Sequence, residues 1–166
     1  GNYNGASGST FNQSGGDINV DGNAAGVTGN SVSGLTPLVL FNSGLGTVNG
    51  GTLTIVDPNA AASAAEAFRY AVSTTSANWA GHTLKFGNGV STDASVNTNG
   101  FEFDTYYSSG ELLLGNLIVD AGSGTNRWVS TSQYSGDGSD VGGNVTINSG
   151  SEIRNITGGA GMLVGG

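Results

Sequence analysis

Gly50-Gly51-Thr52-Leu53-Thr54-Ile55 is two glycines followed by strict polar–aliphatic alternation. The chain writes it twice more, as Gly15-Gly16-Asp17-Ile18-Asn19-Val20 and Gly142-Gly143-Asn144-Val145-Thr146-Ile147. A two-residue period sends every second side chain to one face of a strand, so the aliphatics face a core and Asp, Asn and Thr face outward. Each copy runs into turn chemistry: Asp21-Gly22-Asn23, Asp57-Pro58-Asn59 and Asn148-Ser149-Gly150. This phrase builds a β-rich surface protein and carries no catalytic signature. The glycine pairs start 35 and then 92 residues apart, which sets no fixed period and reads as a degenerate β-repeat.

Outward from the phrase, residues 35–42 read as a strand in which Pro37 favours an edge or a bend. Further strands are expected over 83–86, 101–107, 111–114, 116–120, 127–131, 144–147, 151–156 and 162–164. One segment breaks this texture. Asp57 as N-cap, Pro58 at the first helical position and the alanine-rich run from Ala60 predict a helix over 58–72, with Ala61, Ala65, Phe68 and Val72 on one stripe. Residues 1–34 are poor in apolar anchors and read as an extended polar arm able to donate a strand, leaving 35–166 as a single β-rich domain. Two architectures stay open: an antiparallel β-sandwich of pilin-like form with the helix laid on a sheet, and an irregular right-handed β-helix.

Composition narrows the function classes. Gly, Ser, Asn and Thr make up about half of the 166 residues, while 36% are hydrophobic and only 10% charged. Disordered chains show the opposite balance, few aliphatics and many charges, so a folded β-structure rich in turns is expected. Twelve carboxylates against four cations give a net charge of −8, too few cations to displace phosphate counterions, so nucleic acid is not expected as a partner. Cysteine is absent, which excludes disulfide scaffolds and thiol chemistry. The longest apolar run, 35–41, is broken by Thr36 and Pro37, so no membrane span is expected. The chain opens on Gly1 without a signal peptide and is expected to be a processed or excised form.

Gly50-Gly51-Thr52-Leu53-Thr54-Ile55-Val56 and Gly143-Asn144-Val145-Thr146-Ile147-Asn148-Ser149-Gly150-Ser151-Glu152-Ile153 resemble segments of bacterial autotransporter passenger domains and are similar to filamentous-haemagglutinin-type adhesins. The resemblance implies rungs of a right-handed parallel β-helix carrying adhesion at the surface of a bacterial or archaeal cell. It covers about a third of the chain. The alanine-rich segment and the uneven spacing depart from the pattern, and no functional residue is carried over.

Candidate sites are few. Asp17, Asn19 and Asp21, closed by Gly22, match the first half of a calcium loop, with oxygen ligands at alternate positions and a glycine for the sharp turn. Thr28 stands where the bidentate carboxylate belongs, and the competing reading is a strand ending in an Asp-Gly turn. Calcium is the one cofactor with a candidate site. Gly136-Asp137-Gly138-Ser139-Asp140 reads as an exposed acidic turn. Trp79, Trp128, Tyr106 and Tyr107 are the aromatics able to stack on sugar rings, and surface glycans are the ligands they would take. Glu102 and Asp104 sit two apart on a strand, about 7 Å between Cα atoms, within the span a glycosidase pair needs; the competing reading is a solvated face opposite Phe101 and Phe103. His82 is the sole histidine, so no histidine triad or multi-histidine metal site can be built within the chain, and it reads as a solvated turn residue. Lys85, the sole lysine, reads as pointing to water.

The expectation is a non-enzymatic extracellular structural or adhesive protein that forms a homo-oligomer or polymer by strand addition, because Lys, the usual blocker of sheet edges, is nearly absent. The alternatives are a carbohydrate-binding adhesin module and a polysaccharide-active enzyme. No catalytic residue is assigned.

Overall fold

The computed structural model describes residues 3–4, 11–21, 39–41, 45–57, 66–70, 77–89, 101–105, 112–121, 128–133, 139–157 and 162–164. Their regular structure is strand throughout. In chain order these are β1 (Tyr3–Asn4), β2 (Phe11–Asp21), β3 (Val39–Phe41), β4 (Leu45–Asp57), β5 (Glu66–Tyr70), β6 (Ala77–Phe86) and β7 (Phe101–Thr105). After them come β8 (Leu112–Val119), β9 (Trp128–Gln133), β10 (Ser139–Val141), β11 (Val145–Ile147), β12 (Glu152–Thr157) and β13 (Met162–Val164).

Every described pairing is parallel. One sheet runs β1-β3-β5-β7-β9-β12, the other β13-β10-β8-β6-β4-β2, with β11 also on β8. From β1 to β9 consecutive strands alternate between the sheets, so each strand pairs with the one two places earlier in the chain. The second sheet lays the repeated phrase on itself. Ile18 pairs with Leu53, Leu53 with Leu84, Leu84 with Leu117, and Val145 with Leu117. Two residues on, Val20, Ile55, Phe86, Val119 and Ile147 form a second aliphatic and aromatic row.

These registers align five copies of the phrase rather than three. The glycine corner is filled by Gly51, His82, Gly115 and Gly143 after Gly16, spacings of 35, 31, 33 and 28 residues. The degenerate repeat is a repeat of about 30 residues whose third and fourth copies, Gly81-His82-Thr83-Leu84-Lys85-Phe86 and Leu114-Gly115-Asn116-Leu117-Ile118-Val119, each lack one glycine.

The core lies between the sheets. Phe68 of β5 meets Trp79 of β6 edge-on with ring centroids 5.9 Å apart, and Phe86 of β6 meets Phe101 of β7 at 5.7 Å. Phe68 and Phe103, neighbours within the first sheet, stand 5.4 Å apart. Edge-to-face contacts of this kind add to the gain from burial, and Phe68, Phe86 and Phe101 are fully buried.

Two expectations are corrected here. The antiparallel sandwich fails because the described pairing is parallel throughout; one-face alternation is shared by both sheet types and does not report strand direction. The helix over 58–72 fails at its described part, 66–70, which is strand β5, paired in parallel with β3 and β7. The physical reason is Phe68, which sits between Val39 and Phe103 in a fully buried row, and packing of that size outweighs helix propensities of tenths of a kcal/mol per residue. Residues 58–65 and 71–72 lie outside the described residues. So do the connections that would define the right-handed winding of a β-helix, and the architecture established is the pair of parallel sheets. The Asn148–Gly150 turn carries the chain from β11 in one sheet to β12 in the other, with the Ser151 amide donating to the Asn148 carbonyl at 3.0 Å.

Candidate functional site

The corner between the two halves of each phrase-bearing strand is tightly constrained. Inward-facing positions change parity across it: Gln13 then the partly buried Ile18, Val48 then Leu53, Trp79 then Leu84, Leu114 then Leu117. An unbroken strand keeps one parity, so the backbone has to bend. Gly16 and Gly51 make the bend at φ of 71° and 82°, in the left-handed region that glycine tolerates. The copies stack so closely that a Cβ on Gly81 would collide with the Asn49 carbonyl, and one on Gly115 with the carbonyls of Ala80 and His82.

Gln13 and His82 meet at this corner. The Gln13 amide nitrogen donates to the carbonyls of Gly16 at 3.1 Å and Thr52 at 3.2 Å. That fixes the amide and turns Oε1 toward His82 Nε2, 2.9 Å away, so Nε2 carries the proton and donates. A side chain at position 51 would stand in the way, since its Cβ would come within 2.6 Å of Gln13 Nε2. Gln13 therefore reaches from β2 past β4 to β6 because Gly51 has no side chain. His82 is 1% exposed, packed edge-on to Trp79 with ring centroids 5.3 Å apart, and its Nδ1 has no partner among the described residues. Burial pulls the imidazole down from the usual 6.5 to about 4, so the ring is neutral at physiological pH. His82 is thus a buried structural residue, correcting the solvated turn expected for it.

At the far end of the phrase Lys85 Nζ lies 2.8 Å from Asp120 Oδ2. Hydrogen bonds from Lys85 and Asn148, with the lysine charge adding, hold the Asp120 carboxyl below its usual range despite some opposing burial. The pair clips β6 to the end of β8 on a half-open face.

The other candidates are placed as follows. Asp17, Asn19 and Asp21 lie exposed on β2, in register with Thr52, Thr54 and Asp57. An extended strand sets Asp17 and Asp21 roughly 13 Å apart between Cα atoms, so the three do not converge as the ligands of one ion must. Among the described residues no group of three or more His, Asp or Glu side chains is placed to hold a metal. Trp79 is 1% exposed and lies in the core, which removes it from any sugar-stacking surface. Trp128 opens β9, and Tyr106 and Tyr107 lie outside the described residues. Glu102 and Asp104 stand on β7 in register with Ser130 and Ser132, alternating with buried Phe101 and Phe103. Of 136–140, only Ser139 and Asp140 are described, and they belong to β10, not a turn. The described parts of the 1–34 arm are β1 and β2, each paired within the chain's own sheets.

Sequence reading missed Gln13 altogether. The available signal was the phrase itself: once Gly81-His82 is aligned with Gly50-Gly51, His82 falls in a stacked corner instead of a turn. No family model, curated protein or solved structure matches this chain. Among the described residues no helix is long and apolar enough to cross a membrane.

Proposed function

We propose that this chain is a non-enzymatic structural or adhesive protein of the extracellular or cell-surface space, and that it self-assembles by strand addition. The observation that carries the reading is the ladder of five like corners, each copy seated in register on the one before it. A stack of like units generates extended surface and grows by further like units. Its edges are suited to growth: among the described residues β11 pairs with β8 alone and leaves Ile147 49% exposed, and β2 presents Asn12, Ser14, Asp17, Asn19 and Asp21 to solvent with no Lys or Pro along it. The resemblance of the phrase to autotransporter and haemagglutinin-type segments and the Lys-poor, cysteine-free composition support a location outside the cell.

Negative-stain microscopy and sedimentation of the full chain test this. Filaments or elongated oligomers are expected, with Ile147→Lys shifting them to single copies while the unfolding midpoint stays unchanged. A chain that remains single at every concentration overturns the reading.

A further inference from the structure

β2 is an end strand, paired on one side only among the described residues, and its ladder with β4 breaks register four times: between Phe11 and Gln13, Gln13 and Ser14, Ser14 and Asp17, and Val20 and Asp21. Around the corner, side chains replace the missing ladder bonds. Asn12 Oδ1 accepts from the Thr47 amide at 2.8 Å, and Gln13 ties β2 to both β4 and β6. The β6 end of that tie is the protein's only histidine.

We propose that the Gln13–His82 pair is an acid-sensitive latch on β2, in which protonation of His82 favours release of the Phe11–Asp21 strand and bares the edge of β4. With Nε2–H already given to Gln13, a proton from solvent goes to Nδ1, which has no acceptor beside it. In the closed stack the resulting imidazolium would be sealed among Trp79, Gln13 and the backbone of the corner. Once β2 lifts away, the ring meets water and the charge is solvated. No described charged side chain offsets that cost. On β2, Asp17 and Asp21 are exposed; on β4, Asp57 lies at the far end; on β6, Lys85 is engaged with Asp120, which follows β8.

Proton linkage sets the size of the effect. If the ring titrates near its ordinary value when β2 is open and near 4 when closed, opening becomes about 20-fold more favourable between pH 7 and pH 5. Hydrogen exchange of the full chain, corrected for the intrinsic pH dependence of exchange, reads this directly. Amides of 11–21 are expected to lose protection by that factor while staying less protected than those of 112–119, which exchange only when the whole fold opens, and His82→Leu is expected to abolish the pH dependence. Should His82→Leu not fold, NMR titration of the single imidazole replaces it: a midpoint well below 6.5, followed by the β2 amides, is expected. Protection of the β2 amides that does not change with pH overturns the latch. So does protection of the β2 amides equal to that of β8 at every pH, which would mean that the strand opens only with the whole fold, or an imidazole titrating near 6.5 without response from β2.

Discussion

At the scale of single residues, two polar contacts decide how the stack responds to its surroundings. The unfolded chain protonates His82 near 6.5, whereas the folded chain resists until about 4. The folded state therefore binds fewer protons in that window, and stability is full above about pH 7 and falls as pH drops from 6.5 toward 4, by about 3 kcal/mol in all. Urea unfolding midpoints measured from pH 8 to pH 4 are expected to show this fall, and His82→Leu to remove it from that window. Asp120 acts in a lower window: its depressed carboxyl contributes stability above its ordinary titration range that is lost as pH falls below it. Gln13 is the second test. Gln13→Ala leaves the His82 Nε2–H without an acceptor in a buried site, and a loss of about 1–3 kcal/mol is expected in the same urea assay.

At the scale of the element, the glycine corner separates positions that look alike in sequence. A Cβ on Gly115 would strike the carbonyls of Ala80 and His82, while one on Gly15 meets nothing within 4 Å. Gly115→Ala is expected to cost about 1–3 kcal/mol and Gly15→Ala to be near neutral, compared by thermal unfolding of the two variants. The strands themselves were largely readable where polar and aliphatic residues alternate: residues 162–164 are β13 as expected, and 144–147 hold β11. Residues 111–114 and 116–120, expected as two strands, hold one, β8, because Gly115 bends the strand without ending it. β5 was unreadable for a different reason. Glu66-Ala67-Phe68-Arg69-Tyr70 carries local helix preference, and only the partners on either side of Phe68 make it a strand. The outward row hid a subtler feature: Thr54, flanked in register by Asn19 and Lys85, is 7% exposed, since stacked neighbours cover one another.

For the whole molecule, parallel stacking fixes how copies would add to one another. Strands in a ladder sit about 4.8 Å apart, so assemblies that grow by strand addition are expected to give a 4.7–4.8 Å reflection along the axis of an oriented sample. Its appearance across the axis would mean that copies join by another surface. By itself the sequence determined that this is a β-rich, cysteine-free, acidic chain whose repeated phrase puts aliphatics in and Asn, Thr and Asp out, because strand periodicity is local and needs no partner. Only tertiary structure decided that the strands run parallel in two sheets, that the repeat has five copies, and that Gln13 finds His82 across 69 residues of chain. Each of those depends on register between distant segments, which alternation leaves open and which close backbone stacking at the glycine corner selects.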